Sequence, residues 1–369
     1  MKPAPIDIEK EVKNHLGYFR KNIEQMKGYC PGEQPQGRDY IKLNTNENPY
    51  PPSPKVLQAI QAETGASIRL YPSPMSDPLR AKAAITYGVK QENVLAGNGA
   101  DDLLSIVVRS FVDKGDFVVL PDPTYTLYDT LVTIQEGEVL NVSLNEDFEI
   151  PENEFVKSKA RLTFLPNPNA PSGICIPVNK IAGFAKELNG ILVVDEAYTD
   201  FAKESAIPLI DTYPNIIILR TFSKSFSLAG MRIGLAFADP KLIEGMAKVK
   251  DSYNLNRLSI VAGIAALDDM SWMEENVKKI KKTRNDLISS LNRYGFKTYS
   301  SQSNFVLARI PNRNCREIYE ELKKRGILVR YFDTPRLQDC MRITVGTDHE
   351  ITRFLEELSH ILGKQMAGI

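Results

Sequence analysis

The chain has 369 residues, 43% of them hydrophobic, and its charges balance at 46 basic and 46 acidic. That length suits about two domains with ample core, and the balance offers no basic excess of the kind that draws nucleic acid. No run approaches the ~18 consecutive apolar residues of a membrane helix, and the start, M-K-P-A-P-I-D-I-E-K, lacks an apolar signal core, so a cytosolic chain is expected. The cysteines, Cys30, Cys175, Cys315 and Cys340, are scattered singly, and the histidines, His15, His349 and His360, lie near the termini in charged stretches. A zinc site, a disulfide framework and a histidine-based triad therefore have little to draw on.

Residues 1–53 have weak periodicity and many Pro, Gly and Asn, as in N-T-N-E-N-P-Y-P-P, and read as an arm that wraps a body, with one helix near 8–27. Ser53 and Pro54 open a short helix over 54–63, and the L-Y-P-S-P that follows cannot be helical. From Asn93 onward short apolar strands alternate with amphipathic helices, the pattern of a largely parallel sheet. V-L-A-G-N-G-A-D-D-L-L gives a strand, a Gly-Asn-Gly turn and a helix beginning near Ala100. A bare helix N-terminus with glycine beside it binds phosphate through free N–H groups and the dipole; alternatively Asp101 and Asp102 merely cap the helix.

The strand at 117–120 runs into P-D-P-T-Y, where Tyr125 either stacks on a flat ring or simply packs. The strand at 161–166 precedes the turn N-P-N-A-P-S-G, and the strand at 190–194 ends in D-E-A-Y. Asp195 is placed there to hold a cofactor's ring nitrogen protonated, with Tyr198 able to donate to a phenolic oxygen. The alternative is a turn-capping Asp and a packed Tyr.

Residues 219–234, L-R-T-F-S-K-S-F-S-L-A-G-M-R-I-G, read as a site. Lys224 sits in a Ser/Thr/Gly-rich turn after the apolar strand 215–219 and before another at 233–238, and open α/β sheets bind ligands at such strand ends. A lysine amine forms an imine with pyridoxal phosphate, while Thr221, Ser223 and the guanidinium of Arg232 can hold the phosphate.

From about Asp251 the texture changes: helices at 258–270 and 272–294, a strand at 304–309, a helix at 314–324, strands at 327–331 and 341–345, and a last helix from 349. This mostly antiparallel set reads as a second, smaller α/β domain, giving an arm (1–53), a large domain (54–255) and a small one (256–369). Arg330 and Arg342 fall in the apolar strands G-I-L-V-R-Y and M-R-I-T-V-G. A buried arginine needs an anionic partner, either an internal carboxylate or, across an interdomain cleft, an anionic substrate.

The motifs N-E-N-P, G-A-D, P-T-Y-x-x-Y, P-N-x-P-S-G, V-V-D-E-A-Y, S-K-S-F-S-L-A-G-M-R-I-G and M-R-I-T-V-G-T follow one another over nearly the whole chain. In that order the chain resembles the fold type I pyridoxal-phosphate aminotransferases and, within them, the histidinol-phosphate aminotransferases. The resemblance implies an α/β fold in which a large, mostly parallel sheet flanked by helices binds the cofactor, with a smaller C-terminal α/β domain and an N-terminal arm. It implies that Lys224 carries pyridoxal 5'-phosphate, that Asp195 pairs with the pyridine nitrogen and Tyr198 with the phenolic oxygen, and that Tyr125 stacks on the ring. Gly99, Ala100, Asp101, Thr221, Ser223 and Arg232 would hold the phosphate, and Tyr71 would reach the neighbouring subunit's phosphate in a homodimer. Arg330 and Arg342 would bind the substrate's anionic group, helped by Tyr29 and Asn46, with Asn256 near the substrate side.

Two features depart from the family pattern. The asparagine that usually precedes the proline in P-N-N-P-T-G is Ala170 here, so that Asn169 or, second to it, Asn167 supplies the contact to the ring oxygen or the contact is absent, and the segment after Tyr71 is longer than usual. The implied reaction is ping-pong transamination: L-histidinol phosphate becomes imidazole acetol phosphate, and 2-oxoglutarate becomes glutamate. The same residues would serve an aromatic-amino-acid aminotransferase or a threonine-phosphate decarboxylase. A non-catalytic sensor on this fold would need a basic DNA-binding segment, for which the chain has no spare length.

Overall fold

Two sheets organise the chain in the computed structural model, which describes residues 17–34, 40–157, 159–311 and 313–363. The larger has seven strands in the order β2-β8-β7-β6-β5-β3-β4. They are β2 (Val94–Gly97), β3 (Phe117–Asp122), β4 (Glu138–Ser143), β5 (Leu162–Pro166), β6 (Ile191–Asp195), β7 (Ile216–Thr221) and β8 (Gly234–Ala238). All run parallel except β8, which is antiparallel to both β7 and β2. The central strands are Val- and Ile-rich runs buried along their whole length, as Ile216, Ile217 and Ile218 are, because helices cover both faces of such a sheet.

This topology decides where the loops go. β2, β3, β5, β6 and β7 point the same way, so their last residues, Gly97, Asp122, Pro166, Asp195 and Thr221, share one edge of the sheet. β8 starts at that edge, with Gly234 opposite both Gly97 and Thr221. Only glycine fits there: a Cβ on Gly234 would lie 2.6 Å from the carbonyl carbon of Gly99.

The smaller sheet runs β1-β11-β12-β10-β9, comprising β1 (Ile41–Leu43), β9 (Lys297–Thr298), β10 (Phe305–Arg309), β11 (Ile327–Tyr331) and β12 (Cys340–Thr344). Its pairs are antiparallel except β1 with β11, which is parallel. The segment read as a wrapping arm thus also supplies an edge strand. Of the helix expected near 8–27, the described part holds only Lys21–Gln25, while 8–16, including His15, lies outside the described residues. The helix at Pro54–Glu63 has its expected bounds, with Ser53 Oγ accepting from the Lys55 N–H. It packs, together with Asp77–Tyr87, against Arg257–Leu267. Among the described residues no helix is long and apolar enough to cross a membrane.

Candidate active site

The turn after β2 and the turn before β8 meet in a polar cup. Gly99 has φ +87° and precedes the helix Ala100–Phe111, whose N-cap makes no side-chain hydrogen bond, so first-turn N–H groups remain for a ligand. The two aspartates of that turn divide their work. Asp102 accepts from the Asn98 N–H (2.8 Å) and from Asn254 Nδ2 (2.8 Å), whereas Asp101 pairs with Arg232 (2.9 Å) and accepts from the Tyr125 hydroxyl (3.3 Å). Arg232, held at φ +51°, lies over Gly99 so closely that a Cβ there would sit 2.5 Å from its terminal nitrogen. Thr221 Oγ1 donates to Ser223 Oγ (3.0 Å) and accepts from the Ser223 N–H (3.1 Å), and Arg232 reaches Ser223 Oγ at 3.5 Å. Cation, hydroxyls and helix N–H groups converge as a phosphate requires.

Beside the cup, Asp195 closes β6 and is buried. Burial lifts its pKa, and two donors oppose that lift: the Tyr128 hydroxyl at 2.7 Å and the Ala197 N–H at 3.0 Å. Tyr128 was not singled out from sequence, although it is the second tyrosine of P-T-Y-x-x-Y. It is fully buried, stacks on Phe164 with centroids 4.7 Å apart, and its phenol stays protonated well above the usual range through burial and the neighbouring carboxylate. A neutral donor of this kind stabilises a carboxylate without competing for its proton. Tyr125 meets Tyr128 edge-on at 5.5 Å and the arm's Tyr29 edge-on at 5.6 Å.

In the turn that carries Ala170, both asparagines are occupied. Asn169 accepts from Thr124 Oγ1 (3.0 Å) and donates to the Pro123 carbonyl (3.1 Å), fixing the loop that leads to Tyr125. Asn167 donates to the Ile176 carbonyl (3.1 Å) and accepts from the Ile176 N–H (2.6 Å), a turn-stabilising pair. The Tyr198 hydroxyl accepts from Asn46 Nδ2 at 2.9 Å. Asn46, at φ +57°, also joins the smaller sheet through Thr344 and Asn304.

Lys224 follows β7. Its Nζ lies 5.7 Å from the Tyr198 ring centroid and donates to the Thr45 carbonyl at 3.4 Å. Behind the turn lies a buried charge network that sequence reading missed: Arg220 pairs with Glu196 (3.3 Å) and with Asp200, which also accepts from Ser225 Oγ. Burial alone would lower the Arg220 pKa, but Asp200, Tyr87 and Glu196 outweigh it and the guanidinium stays charged.

Arg330 and Arg342 are direct register partners across β11 and β12. Among the described residues neither pairs with a carboxylate. Arg342 donates to the Asn44 carbonyl (3.0 Å) and leaves its Nε buried without a partner, while Arg330 reaches only the Pro31 carbonyl at 3.5 Å. Phe332 lies within cation–π range of both, at 5.5 and 5.7 Å. Burial pulls the Arg342 pKa down, and the neighbouring Arg330 guanidinium adds to that pull. Of the expected residues, Tyr71 and Asn256 stand apart. Tyr71 is 78% exposed and stacked on Tyr253 at 4.5 Å, and Asn256 caps the helix Arg257–Leu267, accepting from the Ser259 N–H at 2.8 Å.

A parallel sheet whose carboxyl edge offers a lysine, a buried aspartate and an arginine-lined phosphate cup has the architecture of a fold type I pyridoxal-phosphate transferase, and the residues present fit that cofactor. The chain belongs to the aminotransferase class I and II family, whose profile matches residues 38–358. It is 44% identical over 345 residues to histidinol-phosphate aminotransferase 1 of Trichormus variabilis, spanning 92% of this chain and 99% of the relative. It is likewise 44% identical to the histidinol-phosphate aminotransferase of Citrifermentans bemidjiense, over 93% of this chain and 98% of that one. The crystal structure of histidinol-phosphate aminotransferase from Sinorhizobium meliloti in complex with pyridoxal-5'-phosphate superposes with a TM-score of 0.88 at 27% identity, covering 95% of this chain and 99% of the other.

Proposed function

We propose that the chain transfers the amino group of L-histidinol phosphate to 2-oxoglutarate, giving imidazole acetol phosphate and glutamate in histidine biosynthesis. The observation that carries the substrate is the facing pair Arg330 and Arg342, two half-buried guanidiniums that have no carboxylate partner among the described residues. When bound, pyridoxal phosphate supplies an aldehyde for amines and a ring that accepts the electrons left by deprotonation. The cofactor's phosphate would be held by Thr221, Ser223, Arg232 and the first-turn N–H groups of Ala100 and Asp101, which the Gly99 turn leaves uncovered. Asp195, steadied by Tyr128, would keep a proton on the ring nitrogen, Tyr198 would donate to the ring oxygen, and Tyr125, on the loop that Asn169 orders, would pack on the ring.

Lys224 Nζ would anchor the cofactor at rest and, once freed by the substrate amine, would take the proton from the amine-bearing carbon and deliver it to the cofactor as general base and then general acid. Arg330 and Arg342 hold the substrate phosphate, with Tyr29 and Asn46 closing from the arm. We place the working enzyme in the cytoplasm as a homodimer in which the exposed Tyr71 reaches the partner's cofactor phosphate, and divide each chain into an arm (1–53), a cofactor-binding body (54–255) and a smaller unit (256–369).

The test is the visible spectrum of the cofactor-loaded protein. L-histidinol phosphate should abolish the band of the lysine-bound cofactor, 2-oxoglutarate should restore it, and Lys224→Ala should lack it. A band that ignores histidinol phosphate and answers phenylalanine would assign the substrate to the aromatic amino acids instead.

A further inference from the structure

The turn that carries Lys224 has left the sheet: β7 ends at Thr221 and β8 begins only at Gly234. Its carbonyls therefore lack ladder partners and must find others. Asn48 meets two of them at once, its amide nitrogen donating to the Lys224 carbonyl at 2.9 Å and to the Ser225 carbonyl at 3.0 Å. Its oxygen accepts from the Tyr50 N–H at 3.0 Å, so both ends of the amide are engaged and its orientation is fixed. On the same turn Ser225 Oγ is anchored to Asp200, and through it to the buried Arg220. Just upstream of Asn48, Thr45 offers its carbonyl to Lys224 Nζ and Asn46 holds the Tyr198 hydroxyl.

We propose that Asn48 is a positioning residue for Lys224: it fixes the lysine's backbone to the same short arm segment that seats its amine and orients Tyr198. This rests on the reading of Lys224 as the reacting lysine. A lysine that must serve both as covalent anchor and as proton carrier needs a stationary Cα while its Nζ moves between the two tasks, and a misplacement of about 1 Å can cost roughly a hundredfold in rate. The arm thereby becomes part of the reacting apparatus, because the lysine's turn and the substrate-side residues of the arm share one rigid attachment.

The experiment compares cofactor-loaded Asn48→Ala and Asn48→Asp with Ser53→Ala. The aspartate keeps the acceptor for the Tyr50 N–H but removes both donors. Ser53→Ala breaks a different tie of the same segment, the one to Asp269 and to the helix start. For the Asn48 variants we expect kcat lower by about 10- to 100-fold with KM for the amino donor within about threefold. The pH midpoint of the lysine-bound cofactor band should also shift, and that midpoint should stay put in Ser53→Ala. Asn48 variants that fold and match Ser53→Ala in both kcat and band midpoint would overturn the proposal. A cofactor band that survives Lys224→Ala would instead defeat the reading on which it rests.

Discussion

Arg220 and Arg342 are arginines on strands, one in each sheet, and the chain treats them oppositely. Arg220 has two carboxylates, Glu196 and Asp200, within ion-pair distance, and its charge is secured by them. Arg342 has a backbone carbonyl, the faces of Phe305 and Phe332, a second guanidinium across the strand pair and an unpartnered Nε. A charge withdrawn from water must be matched. A structural arginine brings its match within the chain, whereas one left unmatched is what we propose receives an anion from solution.

The contrast can be broken by removing each guanidinium in turn. Arg220→Met strands Glu196 and Asp200 against the back of the lysine turn, and we expect a loss of about 3–5 kcal/mol in unfolding free energy, read by denaturant titration. Arg342→Met should leave stability unchanged or raise it, since burial disfavours the charge it removes. The same variant should weaken binding of the phosphorylated amine by about a hundredfold, the order found when one partner of a desolvated charge pair is lost. Equal destabilisation by both variants would erase the distinction.

Asp195 offers a subtler case, a buried carboxylate for which we propose a cationic ring as partner. In the folded, cofactor-free chain its pKa is raised by burial, so the native state binds the proton more tightly than the unfolded state does. Stability from this group is full below the unfolded value of about 3.9 and is lost as pH rises through the folded one. Cofactor-free Asp195→Asn should therefore gain on the wild type as pH rises from the unfolded carboxylate value of about 3.9 through the raised folded one, in thermal melts, while its affinity for pyridoxal phosphate falls. Smallest is the latch between the arm and the helix Cys315–Lys324. Glu33, its pKa lowered chiefly by the Lys323 hydrogen bond, also accepts from Tyr319, but the ion pair is over a third exposed. Glu33→Gln should cost under about 1 kcal/mol, with any kinetic effect confined to substrate affinity.

Much of this was legible in sequence where the signal is local. N-I-I-I-L before S-K-S and I-L-V-V-D before E-A-Y announce buried strands with functional ends, and S-P-K announces a helix start that the structure keeps. What escaped depends on convergence. β1 is three residues long and becomes a strand only by pairing with β11, hundreds of residues away in sequence. β4 is a mostly exposed edge with a mixed sequence. The charge network of Arg220 joins D-E-A-Y-T-D to the next strand, and neither periodicity nor spacing says that those side chains meet. Tyr128 lay inside a quoted motif, but its partner is set by a helix start facing the end of β6. Conversely, the sequence posed the choice between internal carboxylate and external anion for Arg330 and Arg342, and the contacts favour the anion by leaving neither, among the described residues, with a carboxylate.

The most direct test of that decision is a thermodynamic cycle on the cofactor-loaded protein: calorimetric binding of L-histidinol phosphate and of L-histidinol, to the wild type and to Arg342→Met. If the guanidinium waits for the substrate's phosphate, deleting either one weakens binding by a similar factor and deleting both weakens it little further, a coupling well above the ~0.5 kcal/mol expected of independent sites. Losses that simply add would mean that Arg342 and the phosphate do not meet, and would contradict the account.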